Sequence, residues 1–198
     1  MKIFDLHSDT FSLLFDKNLS LDSSELAVNI AAFKSVEKAV QQFAVFLRDY
    51  EISSADRYKL VLENGKQALL NSGIRICTRA DVLENDEKII ALLSIENAGF
   101  IKDVSFVDEF YKDGIVTASL TWNGDNKLAG GALGDASLTS LGVDVIKRMN
   151  RLSMAVDLSH LNRKSFYEAL KEARFPCATH SGIDFILHHP RNLDDAQL

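Results

Sequence analysis

Short apolar runs recur along the chain at Ile3 to Leu6, Ala39 to Leu47, Ile89 to Ile95, Ile115 to Leu120, Ala155 to Leu158 and Cys177 to Thr179. Runs of this kind, rich in β-branched residues, predict strands. Between them the period changes. Leu141, Val145, Ile146 and Met149 line one helical face of Thr139 to Leu152, and Phe166, Ala169 and Leu170 line one face of Arg163 to Ala173. Thr139 follows a loop containing Gly130, Gly131 and Gly134, and its hydroxyl can satisfy an early amide, so it is the predicted N-cap. Alternation of strand and helix predicts an α/β fold on a parallel sheet, either an open doubly wound sheet or a (β/α)8 barrel of the TIM type. About six strands can be placed, whereas a full barrel has eight strands and takes roughly 250 residues. The barrel reading therefore expects an incomplete barrel that lacks its C-terminal strands. Asp194 to Leu198 reads like the first turn of a helix, with acidic residues where a helix N-terminus favours them.

Composition narrows this further. The 198 residues are 46% hydrophobic and 25% charged, with no repeat and only Pro176 and Pro190 as prolines. One folded domain over residues 1–198 is expected. The net charge of −6 is spread without a Lys/Arg-rich block, which argues against nucleic-acid or anionic-membrane partners. Asp5, His7 and Asp9 are incompatible with a signal-peptide apolar region, and no run is long enough to span a membrane. Cys77 and Cys177 lack CxxC spacing and read as a reduced pair. The expected location is the cytoplasm.

The candidate chemistry sits at predicted strand ends. His7 and Asp9, two apart on a strand, project from one face and can reach one ion. Glu96, His160 and His180 each follow another apolar run, and in a parallel α/β sheet the carboxyl ends of the strands share the face that carries the site. These ligands suffice for two zinc ions if Glu96 bridges them, at the roughly 3.5 to 4 Å separation of two-metal hydrolases. Such a pair can supply a bound hydroxide near neutral pH.

The stretches DLHSDT, SIENAGF, SLTWNGDNKLAGG, ASLTSLGVDVIKRMNRLSMAVDLSH, CATHSGI and HHPRNLDD make the chain resemble the membrane (renal) dipeptidase family of zinc metallopeptidases, which are amidohydrolase-like (β/α)8 barrels. The resemblance implies a zinc-dependent dipeptidase that hydrolyses dipeptides. His7 and Asp9 would hold the first zinc, Glu96 would be the bridging catalytic carboxylate, and His160 and His180 would hold the second. Arg191 looks like the family's substrate-binding arginine, suited to grip a C-terminal carboxylate with paired hydrogen bonds. Trp122 occupies the place of the histidine in the animal enzymes' LTH motif, so Trp122 and Asn123 are the implied pocket contacts, with Asn126 nearby. The family's closing GSDFDG-like stretch, whose aspartate handles the substrate amine and a proton, has no counterpart here. Two alternatives follow: an inactive metal- or ligand-binding fragment that forms a homo-oligomer through its open sheet edges, or an amidohydrolase acting on lactams or cyclic amides.

Overall fold

The computed structural model describes residues 1–78 and 86–198. All six expected strands form, with boundaries displaced by a residue or so: β1 (Lys2–Asp5), β2 (Lys38–Phe46), β4 (Ile89–Glu96), β5 (Ile115–Ser119), β6 (Ala155–Asp157) and β7 (Pro176–Cys177). A further strand, β3 (Arg75–Ile76), corrects the expected count of about six to seven among the described residues. Two residues are too few to leave a periodic signal. The helices are α1 (Thr10–Lys17), α2 (Asp56–Asn71), α3 (Phe106–Lys112), α4 (Ser140–Arg151) and α5 (Arg163–Glu172).

Every strand pairing is parallel, in the order β1-β2-β4-β5-β6-β7. β2 covers one edge of β4 over its whole length, so β3 and β5 share the other edge, β3 pairing at Ile90 and Ala91 and β5 from Leu93 to Ile95 with a register shift between Leu93 and Ser94. The result is a (β/α) barrel of the TIM type left open between β1 and β7.

Period-two alternation assigns the two faces of the sheet. Phe43 and Val45 on β2, with Ala91, Leu93 and Ile95 on β4, point outward into the large core shared with the helices. Phe11 of α1 stacks on Phe43 at 5.2 Å. Glu96 has the parity of Leu92 and Ser94, so it projects to the inner face at the carboxyl end of β4. Thr139 caps α4 by accepting from the Gly142 amide, as its place after the glycine loop predicts. Leu198 N–H donates to Asp194 C=O, closing the acidic turn expected at residues 194–198. No helix among the described residues is long and apolar enough to cross a membrane.

Candidate metal centre

The strand ends bring the expected residues together. Glu96, 3% exposed, ends β4 and divides its two oxygens. Oε2 lies 3.3 Å from His7 Nε2, while Oε1 lies 2.7 Å from His160 Nε2 and 3.5 Å from His180 Nε2. Asp9 joins through His7, its Oδ1 standing 3.2 Å from the same Nε2. The His7 and His180 rings stack at 3.7 Å. Nitrogen and oxygen atoms of His7, Glu96 and His180 all lie within 4.8 Å of one another, a grouping able to hold a metal ion.

Backbone geometry contributes directly. Asn97 and His160 both adopt left-handed φ, 70° and 69°. For residues other than glycine this conformation is uncommon and is held by its surroundings. Asn97 is fully buried; its side chain donates to Leu47 C=O and Asp49 Oδ1, and its amide donates to Ser119 Oγ. Asn126 donates to Asn97 Oδ1 and to Leu120 C=O, so it braces the loop beneath the cluster and makes no contact within it. Asp49 also accepts from Gly124 N–H, at the one face where a Cβ on Gly124 would stand 2.8 Å from the carboxylate. The SIENAGF and LTWNGDN stretches are thus locked to each other, and with them the position of Glu96.

The two histidines on the Oε1 side of Glu96 are each oriented through the other ring nitrogen. His160 Nδ1 lies 3.0 Å from Asn123 Oδ1, and His180 Nδ1 lies 2.7 Å from Thr179 Oγ1. With an amide oxygen as acceptor, His160 carries its proton on Nδ1 and presents Nε2 as the lone-pair atom. Asn123, expected to face substrate, therefore has its side-chain oxygen committed to an imidazole. Trp122 packs edge-on to Phe46 and 6.4 Å from the His160 ring. Arg191 donates to Ser181 Oγ and to His180 C=O, which sets the guanidinium beside the cluster.

The electrostatics are those of a site short of positive charge. Burial alone would drive the Glu96 carboxyl upward, but its close contacts with the His160, His180 and His7 imidazoles hold it well below the usual carboxylate range. Burial disfavours an imidazolium at His7, yet Asp9 and Glu96 outweigh it and raise the group to about 10. At His160 burial prevails over Glu96 and the pKa falls, and burial likewise lowers Arg191 against the pull of Glu96 and Asp157. His160 Nε2 and His180 Nε2 are 3.0 Å apart. Two lone-pair nitrogens and an ionised oxygen cannot converge in this way unless protons or a cation stand between them. Zinc bonds of about 2.0 to 2.1 Å make tetrahedral edges near 3.3 Å. The contacts of 2.7 to 3.5 Å bracket that value, so the donor set fits a divalent ion. Sequence reasoning named all of these clustered residues but missed Asp157, Ser159 and Thr179 beneath them; the alternation of Asp157 and Ser159 in DLSH was the only available signal.

Known proteins resemble this chain in sequence and in fold. The sequence profile described as "Membrane dipeptidase (Peptidase family M19)" matches residues 1–198. An uncharacterized protein from the pqqA 5' region of Klebsiella pneumoniae is 34% identical over 67% of this chain and 55% of its own length. An uncharacterized dipeptidase of Schizosaccharomyces pombe is 30% identical over 89% of this chain and 42% of its own. The chain thus spans about half the length of curated relatives it matches. In fold it is similar to a Rhodobacter sphaeroides metallo peptidase crystallised with a phosphinate mimic of L-Ala-D-Ala, with a TM-score of 0.81, 18% identity and coverage of 100% of this chain and 70% of that one. The probable dipeptidase PvdM of Pseudomonas aeruginosa gives 0.79 at 17% identity, covering 99% and 56%. A family match over residues 1–198, on an open (β/α) barrel whose strand ends gather imidazole and carboxylate groups able to hold a metal ion, means that this chain belongs to the membrane dipeptidase family, peptidase family M19.

Proposed function

We propose that the chain carries the metal-binding part of a zinc-dependent dipeptidase, with His7 and Asp9 on one ion, His160 and His180 on the other, and Glu96 bridging. One observation carries this reading: the two Glu96 oxygens are shared out between His7 on one side and His160 with His180 on the other. When bound, a zinc pair supplies Lewis acidity, acidifying water and polarising a carbonyl oxygen. The chain's own residues supply position. Arg191 holds the substrate's C-terminal carboxylate, which fixes the scissile bond at a set distance from Glu96 and favours dipeptides over longer peptides. Trp122 and Asn123 form the wall on the His160 side, and burial around Glu96 strengthens each charge interaction by excluding water. The 198 residues are read as one folding unit, supported by a single large core running from Phe11 to Leu193. Cys177 stands as a free thiol, which supports a cytoplasmic setting.

Zinc titration with elemental analysis tests the site: two ions per chain are expected, falling to one or fewer in Glu96→Gln. No zinc bound by the native chain would end the reading. A panel of L-L and L-D dipeptides beside lactams tests the chemistry. Because these 198 residues span about half the length of curated relatives, slow dipeptide turnover is expected of them alone, and preferential lactam opening would transfer the proposal to cyclic amides.

A further inference from the structure

Beneath the cluster a buried polar knot joins the ends of β6 and β7. Asp157, the last residue of β6, is 4% exposed, and Ser159 is fully buried. Asp157 Oδ1 accepts two backbone amides, from Ser159 at 3.0 Å and Thr179 at 3.1 Å. Ser159 Oγ accepts from the Thr179 and His180 amides at 3.0 and 3.3 Å. Asp157 Oδ2 then has one hydrogen-bond partner among the described residues, the Thr179 hydroxyl at 2.5 Å, and Thr179 Oγ1 lies 2.7 Å from His180 Nδ1. Asp157 itself is 4.0 Å from that nitrogen, beyond direct hydrogen-bonding reach.

A hydroxyl has a single proton, and an ionised carboxylate can only accept. Thr179 must therefore donate to Asp157, which leaves its oxygen to accept from His180. We infer that Asp157 and Thr179 form a positioning relay, carboxylate to hydroxyl to imidazole, that fixes the proton of His180 on Nδ1 and turns Nε2 toward Glu96 as a metal ligand. The inference rests on the metal-centre reading above. Carboxylates commonly orient metal-binding imidazoles by direct contact; here the hydroxyl extends the reach of a carboxylate already tied to the β6–β7 joint. Direction is what makes the charge matter. An amide at position 157 would present an N–H to Thr179, the hydroxyl would turn to donate to His180 Nδ1, and the imidazole proton would be driven to Nε2, the atom the metal needs.

The experiment uses the full chain and zinc alone, with affinity measured by chelator competition at fixed pH and with the far-UV spectrum and melting of the zinc-free chain recorded beside it. Thr179→Val and Asp157→Asn should each weaken zinc binding about 10- to 100-fold, while Thr179→Ser, which keeps the hydroxyl, should stay within about threefold of native. A role confined to tying the strands together would shift melting of the zinc-free chain without this split. Native affinity in Thr179→Val, or a loss in Thr179→Ser equal to that in Thr179→Val, overturns the relay. Should Thr179→Val fail to fold, nitrogen-15 histidine spectra of the zinc-loaded native chain decide the matter. A slowly exchanging proton on His180 Nδ1 supports the relay, and its absence refutes it. Failure of the underlying metal-centre reading looks different: the native chain would bind no zinc, or His180→Ala would bind it as tightly as native.

Discussion

The Cys177 thiol reports on the same buried joint from its other side. Its Sγ lies 3.7 Å from Val156 C=O across the β6–β7 pairing. Burial, and after it the charge of Asp157, push the thiol up to about 12. The thiolate is the reactive form and an ordinary cysteine titrates near 8.5. The sign is therefore clear: between about pH 8.5 and 12 the folded chain keeps Cys177 protonated where an unfolded chain would ionise it. At pH 8 the native thiolate fraction is on the order of 1 in 10,000, against roughly a quarter for a free thiol. Iodoacetamide should label Cys177 at least about 100-fold more slowly in the native protein than in urea, with the native rate rising about tenfold per pH unit. Peptide mass spectrometry distinguishes it from Cys77. Equal labelling rates with and without urea would show that the β6–β7 joint is open in solution.

At the level of elements, α2 approaches α1 closely enough to need glycine near its midpoint. A Cβ on Gly65 would stand 2.3 to 2.5 Å from three ring atoms of Phe11, and that ring is fully buried and stacked on Phe43. Two effects compete in Gly65→Ala. Helix propensity favours alanine by about 1 kcal/mol, while overpacking a tight core costs about 1 to 3 kcal/mol and at times more. The ring has no free direction to move, so the clash should win by about 1 to 2 kcal/mol. At about 2 to 4 °C per kcal/mol for a chain of this size, melting should drop by several degrees; a higher melting temperature would mean that α1 and α2 are further apart than described. Contacts such as Phe11 with Gly65 join residues far apart in sequence and leave no periodic trace, whereas local devices do. The Thr139 cap, the α4 face and the strand-end places of His7, Glu96, His160 and His180 were all legible because each depends on nearby residues. β3 was too short to register, and the hydrogen bonds of Asn97 to Asp49 and of Asp157 to Thr179 exist only once strands distant in sequence lie side by side.

Over the whole molecule, the proposed ligands come from four strand ends spread from His7 to His180, while the sheet that carries them is open. β1 and β7 are its unpaired margins, β7 is two residues long, and Phe4 on β1 is 60% exposed beside an inner cleft of about 580 Å³. The last strands are thus fastened mainly by β6–β7 pairing and by the polar knot, and a metal gathering His7, Glu96, His160 and His180 would clamp the two margins toward each other. A ligand that binds only the folded state stabilises it by RT ln(1 + [L]/Kd), about 4 kcal/mol at a thousandfold excess over Kd. For a chain of this length that corresponds to a rise in Tm of about 8 to 16 °C. Zinc added to the metal-free chain should give a shift of this order by differential scanning calorimetry, EDTA should reverse it, and His180→Ala should lose most of it. The gain should be concentrated at the margins. Amide exchange in β1 and β7 should slow by a larger factor than in β4, whose neighbours already hold it on both edges. Uniform protection would imply that zinc tightens the fold generally, and no shift at all would imply that the four strand ends converge without a metal to hold them.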